Sequence, residues 1–412
     1  MITIRPITRA LVPVDSHAAA RVSAPNYDEF QSDDEIREIL ARRPEAVLRI
    51  TMAHCDPAVP PGSVEADSDA SLERAHANLR GLVASPLVRE VAGALFVYEI
   101  RDPRRPQARQ IGLGGLARTA EIRTAGAPDA PIIRNEGIRE AKARGRARLI
   151  EATRAIIGTV NLAVPDADGG LAVALERYAD DRAPDLETTD EGGSGHRVWI
   201  VTDPGAVVRL QRRMFDEPEA YVADGNHRSA AAAMLGCEHF LAVFFPTDRL
   251  GIGPYNRLVR TDAPLPALDG LGGAFELDEP DTPGPFQPRA THELGLYASV
   301  LGWRRLRVRA VVVDGADAAA SIDHDIAQRH VFARWLGIED AGDERLSFVG
   351  ANKDAAWLQR QVEQGRYDLA VTLPPVTMEQ FVAVCRENRL MPPKSTWFEP
   401  KIRSGLVMAL LD

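Results

Sequence analysis

Apolar positions recur at helical spacing over residues 33–42 and 70–83, and both stretches predict helices. Residues 93–100 form a nearly continuous apolar run that predicts a buried strand, with 110–117 as its hairpin partner. A long helix is expected over 139–157, then a strand at 197–202 and a helix at 206–213. The short β-type segment at 221–223 runs through Asp224-Gly225 into the Ala-rich helix former 226–235, and 240–245 returns as a strand. That order reads as a β-α-β unit with the turn at its crossover. Beyond it the pattern alternates: strand 306–313, amphipathic helix 321–336, strand 346–349, helix 357–363, strand 369–373 and helix 378–387. Residues 56–71, 166–195 and 262–288 are rich in Pro, Gly or acidic side chains and are expected to be connections. The fold class is therefore α+β, a mixed α/β chain. Its expected division is an N-terminal α/β subdomain (1–130), a core carrying the Asp-Gly turn (131–261) and a C-terminal α/β subdomain (262–412).

Composition narrows the function classes. A chain of 412 residues exceeds one ordinary core. Its 45% hydrophobic and 26% charged residues are globular proportions, which exclude a tail or linker. The net charge of −10 argues against a dedicated nucleic-acid binder, which needs a basic face. One dense basic stretch, with Lys142, Arg144, Arg146 and Arg148, is either a solvated helix face or a phosphate-contacting helix. Cys55, Cys237 and Cys385 are far apart, a spacing that suggests neither disulfides nor a zinc site and fits a reducing cytoplasm. No signal-type segment opens the chain and no apolar run reaches membrane-spanning length, so a cytoplasmic protein without membrane association is expected. A homodimer stays open.

The chemistry concentrates at Asp224-Gly225-Asn226-His227-Arg228. A strand, tight turn and helix start aim backbone N–H groups and the positive end of a helix dipole at one point, a site suited to an anion. Arg228 can grip phosphate in bidentate fashion, and His227 can donate a proton or a hydrogen bond near neutral pH. Asp224 has the wrong charge for a simple anion site. It makes sense beside phosphate if Mg²⁺ lies between them or if the carboxylate takes a proton from a nucleophile. The alternative is a plain Asp-Gly turn whose His and Arg cap and solvate a helix. Residues 391–401 form a second unusual stretch, where two prolines stiffen a loop carrying Lys394, Ser395, Thr396 and Lys401. Those groups can contact phosphate, while Trp397 and Phe398 can equally plug a core.

These residues carry a resemblance. Asp224 to Arg228 resembles the Asp-Gly-His-His-Arg box of the family known as domain of unknown function 1015. Ala24-Pro25-Asn26-Tyr27-Asp28 resembles its Pro-Pro-Tyr-Asp box, and Asn135-Glu136 with Arg146 resembles its His-Glu box and following Asp-Arg. Pro254 to Val259 resembles the segment after the central strand, and Met391 to Lys401 with Ser404-Gly405-Leu406 resembles the C-terminal signature. Five ordered boxes span residues 24–406.

The resemblance implies a ParB/sulfiredoxin-like nucleotide-binding core with additional α/β subdomains, and the activity of free L-serine kinases. In such enzymes the γ-phosphoryl of ATP, or a phosphoryl of ADP as donor, passes to the hydroxyl of a small molecule with Mg²⁺ present. On this chain the phosphate and Mg²⁺ centre falls to Asp224, Gly225, Asn226, His227 and Arg228, with Asp224 as metal ligand. Arg146 and Lys394 become further phosphate contacts, and Glu136 the base for the acceptor hydroxyl. Without the resemblance, Glu136 reads as a surface carboxylate favourable to a helix dipole, and Asp28 as a turn residue or a ligand-facing one. Asn226 and Asn135 replace the family's histidines, Ile138 a threonine and Gly145 an aspartate, which leaves the acceptor hydroxyl unfixed. A ParB-like nucleotide switch without small-molecule phosphorylation is the alternative, and so is a degenerate member that binds a phosphorylated metabolite without turnover.

Overall fold

A computed structural model describes residues 1–399 and 401–411; the side chain of Asp28 falls outside that description. The chain forms two compact units. The first takes residues 1–134, 138–250 and 400–412, and the second takes 135–137 and 251–399. The three expected stretches are thus not the divisions the contacts make, because strands from both sides of residue 130 share one sheet.

In the first unit the main elements are strand β1 (Ile7–Pro13), helices α1 (Asp33–Arg42) and α2 (Asp69–Val83), the long strand β2 (Val88–Arg101), β3 (Gln110–Arg118) and helix α3 (Glu140–Thr153). Strand β4 (Val160–Val164), helix α4 (Gly170–Asp180), strand β5 (Gly195–Val201), helix α5 (Pro204–Phe215), strand β6 (Ala220–Asp224), helix α6 (Asn226–Met234) and strand β7 (His239–Pro246) follow. β6, β4, β7, β3, β2 and β1 lie side by side in a twelve-stranded sheet, which Met408–Leu410 extends by pairing with β1. β2 and β3 pair antiparallel as expected. Leu95, Val97, Leu113, Leu162, Val222 and Phe244 are buried in one of the unit's cores.

Several expectations are corrected. β6 and β7 follow one another through α6, but β4 lies between them, antiparallel to β6 and parallel to β7. They therefore do not form an adjacent parallel pair. The helix expected over 139–157 stops at Thr153, because Arg154 takes the left-handed conformation (φ 52°) and Ala155–Ile156 pairs as a strand. The supposed connection 166–195 contains α4 and the strand Leu186–Thr189. Its acidic residue Asp166 accepts hydrogen bonds from the N–H groups of Leu171 (2.8 Å) and Ala172 (2.9 Å), so it starts a helix.

In the second unit a six-stranded antiparallel sheet runs Phe275–Asp278, Gly302–Val308, Glu293–Ala298, Leu369–Thr372, Asn256–Val259, Leu346–Val349. Phe275–Asp278 lies inside the expected connection 262–288. The strand expected over 306–313 ends at Val308 and gives way to the helical turn Ala310–Val313, where Val311 is exposed. The 321–336 helix begins as Asp323–Ile326 and continues with wider π-type turns over Ala327–Ala333. Among the described residues no helix is long and apolar enough to cross a membrane.

Candidate functional site

β6 ends at Asp224, and the chain reverses at Gly225 with φ 97°, a conformation open to glycine at little cost. α6 starts at the next residue. The apolar run of β6 and the small side chains Ala230, Ala231 and Ala232, all buried, press this turn into the sheet. The expected strand, turn and helix N-terminus are therefore one structure.

Asp224 sits between two cations. Its Oδ2 lies 3.0 Å from Arg228 Nη2 and 3.4 Å from Lys401 Nζ. Arg228 is buried, and its Nη1 donates to the Thr159 carbonyl and to Asn26 Oδ1 (3.3 Å). Asn26 also accepts from Ser404 Oγ (2.7 Å) and donates from Nδ2 to the Ile402 carbonyl (3.0 Å). The guanidinium is thereby fixed from three directions. His227 is half-buried, and its Nε2 accepts the backbone N–H of Arg139 (3.0 Å). That bond keeps Nε2 unprotonated and leaves the ring proton of the neutral imidazole on Nδ1.

Arg146 reaches the same region. Its guanidinium lies 4.0 Å above the Tyr27 ring, and its Nη1 donates to the Thr51 carbonyl (3.1 Å). With Tyr27, Ile157, Gly158, Arg228 and Ser404 it lines a small apolar cavity of about 40 Å³. That is room for about one water. Asp28 belongs to the short turn Tyr27–Glu29, but its side chain lies outside the described residues.

Glu136 and Lys394 belong to the second unit. Glu136 bridges Met391 in a parallel pair, and its charge acts on Arg257. Burial lowers the Arg257 guanidinium to about 10, against the opposing pull of Tyr255 and Glu136. Arg257 packs 4.5 Å from the Phe348 ring and donates to the carbonyls of Tyr255 (2.9 Å) and Pro393 (3.2 Å). Lys394 adopts φ 60° and holds its Nζ 5.7 Å from the centre of the Tyr255 ring. Glu136, Tyr255, Arg257 and the 393–394 loop thus gather in one place.

The structure therefore assembles Asp224, Gly225, Asn226, His227, Arg228 and Arg146 within the first unit, and Glu136 with Lys394 within the second. Sequence reasoning gave no role to Asn26, Gly158, Arg257 or Ser404. A Cβ on Gly158 would stand 2.8 Å from Arg228 Cδ, so only glycine leaves the guanidinium its place. Asn26, Arg257 and Ser404 do lie in the boxes of the family resemblance, the one signal that singles them out.

Among solved structures, the chain is similar to SbnI with a C-terminal truncation from Staphylococcus aureus (11% identity, TM-score 0.38, covering 70% of this chain and 84% of that one). It is similar to a free serine kinase in complex with AMP (12%, TM-score 0.35, 67% and 89%). A conserved hypothetical protein from Pyrococcus furiosus is similar at 13% identity and TM-score 0.34, over 65% and 87%. A search of curated proteins finds no match. With residues 4–326 matched by the family model described as "Protein of unknown function (DUF1015)", the chain belongs to that family.

Proposed function

We propose that the protein binds a nucleotide by its phosphates at the 224–228 turn and transfers a phosphoryl group from ATP to the hydroxyl of a small molecule, with free L-serine or a related hydroxy compound as first candidate. The observation that carries this reading is the excess of positive charge at the helix start: one carboxylate, Asp224, held between Arg228 and Lys401 beside the N-terminus of α6. A structural turn needs no second cation. Phosphates arriving at the helix end meet backbone N–H groups, the Arg228 fork and the Lys401 ammonium together. Phosphoryl transfer asks mainly for such charge neutralisation and positioning.

The donor set suits Mg²⁺ brought by the nucleotide, since Asp224 offers a hard carboxylate oxygen and the phosphates offer the rest. When bound, the ion would neutralise phosphate charge. Asp224 then has two tasks, orienting Arg228 and facing that ion. Fixed by Asn26 and Thr159, the guanidinium is pre-organised and loses little freedom on binding. The role of base for the acceptor hydroxyl goes to Glu136, on the family resemblance and on its place beside the buried Arg257 guanidinium, which its charge acts on.

The test is to incubate purified protein with Mg²⁺-ATP and a pool of small hydroxyl compounds led by L-serine, and to search by mass spectrometry for an acceptor heavier by one phosphoryl group. Glu136→Gln is expected to keep nucleotide binding while transfer falls by orders of magnitude. Transfer that survives the substitution removes Glu136 from the role. Bound nucleotide with no phosphorylated acceptor in a broad pool turns the assignment to a nucleotide-gated switch.

A further inference from the structure

Far from the turn in sequence, the first unit brings together three donors of a different chemistry. Asp33 is the first residue of α1, while His54 and Cys55 lie in the short turn Ala53–Cys55 that precedes the 56–68 loop. One ligand atom from each falls within 4.8 Å of the others. His54 and Cys55 are buried, whereas the Asp33 side chain keeps 56% of its exposure, so the cluster opens to solvent on the carboxylate side alone. Asp33 Oδ2 already stands 3.2 Å from His54 Nε2.

The spacing suits a metal. Bonds of about 2.3 Å to sulfur and about 2.0 Å to nitrogen or oxygen in a tetrahedron place ligand atoms about 3.5 Å apart. The three side chains need only close slightly to meet that. A nucleophilic role fits less well. Burial first, and the Asp33 charge next, push the Cys55 thiol up to about 12, so it stays protonated and unreactive at neutral pH. The nearby Arg37 is held by the carbonyls of Val59 (3.0 Å) and His54 (2.8 Å), and Asp34 adds a second negative charge to the surroundings.

We propose that Asp33, His54 and Cys55 form a site for one divalent cation of borderline softness, of the Zn²⁺ class, with water in the fourth position. The ion takes the place of the thiol proton: the S–H bond breaks, the proton leaves to solvent and the sulfur–metal bond forms. Affinity therefore rises with pH. Hard ions such as Mg²⁺ are poorly served by sulfur and imidazole donors, so this site is separate from the phosphate chemistry at Asp224. It fastens the start of α1 to the turn before the 56–68 loop. Metal-site spacing rules miss it because two ligands are adjacent and the third lies across a helix.

The experiment is a Co²⁺ titration of the full chain after chelator treatment, followed by visible and near-ultraviolet absorption. One saturating equivalent with strong four-coordinate visible bands and a thiolate-to-Co²⁺ charge-transfer band, displaced by Zn²⁺, is expected. Cys55→Ser should lose the charge-transfer band. Asp33→Asn, at an exposed position and therefore compatible with folding, should weaken Co²⁺ binding at least about tenfold while the metal-free melting curve stays in place. Absence of a saturable single equivalent overturns the site. So does a charge-transfer band that persists in Cys55→Ser, or Asp33→Asn binding as tightly as the unsubstituted protein.

Discussion

Arg228 divides its guanidinium contacts among a carboxylate, a backbone carbonyl and a side-chain amide, which a lysine cannot reproduce. Arg228→Lys is therefore expected to retain the fold but lose at least about tenfold in nucleotide affinity, or about 1.4 kcal/mol, measured by calorimetry. Arg228→Ala goes further, because it removes a cation that faces the half-buried Asp224 carboxylate; a loss of about 3 kcal/mol in urea unfolding is expected. Gly158→Ala tests the same arrangement from the other side. Its methyl displaces the Arg228 stem, so nucleotide binding should weaken even though no charge changes. The turn itself was legible from residues 221–229, since Asp-Gly between an apolar strand and an Ala-rich run leaves few alternatives. The contacts of Arg228 with Thr159 and Asn26 were not, because hydrogen bonds that span 69 and 202 residues leave no local pattern.

At the scale of elements, α4 shows why composition misled. Residues 166–169 read as loop, yet Asp166 accepts from the first-turn N–H groups of Leu171 and Ala172 just beyond the N-cap Gly169, and its own N–H donates to Glu217 Oε2 at 3.0 Å. Asp166→Ala should cost about 2 kcal/mol by leaving two buried N–H groups without acceptors, and Asp166→Asn less; thermal melts compare them. The helical face was present in the sequence as Leu171, Ala172, Leu175 and Ala179, all buried. Acidic and glycine residues around it concealed the period. The strand Glu293–Ala298 was missed for a related reason. It lies between a Pro-rich stretch and the glycine turn at Gly302, and its burial comes from pairing with strands on both sides. Where a helix or strand owes its boundaries to partners distant in sequence, local patterning gives its existence at best.

For the molecule as a whole, each unit buries a histidine that prefers to stay neutral. Burial, helped by the Arg403 charge, outweighs Asp190 and lowers His196, whose Nδ1 meets the Tyr98 hydroxyl at 2.8 Å. Burial and the Arg257 charge lower His324 well below its ordinary value. In both cases the unfolded chain binds the proton more readily. The stability they contribute is complete above the unfolded value of about 6.5 and is lost as pH falls below it toward the folded value, by about 1.4 kcal/mol per pH unit per histidine. Urea midpoints should therefore drop between pH 7.5 and 5.5, and His324→Gln should flatten that slope. Midpoints that stay level across the interval would refute the assignment.

The first unit is discontinuous in sequence: residues 251–399 intervene before Lys401, Ser404 and the strand Met408–Leu410 return to it. A ribosome has to translate the whole second unit before it can add the lysine that faces Asp224 or the strand that pairs with β1. A product that ends within that insertion lacks Ser404, which holds Asn26 against Arg228, and the strand that pairs with β1. The 224–228 turn thus gains its Lys401 contact only after residues 251–399 have been made.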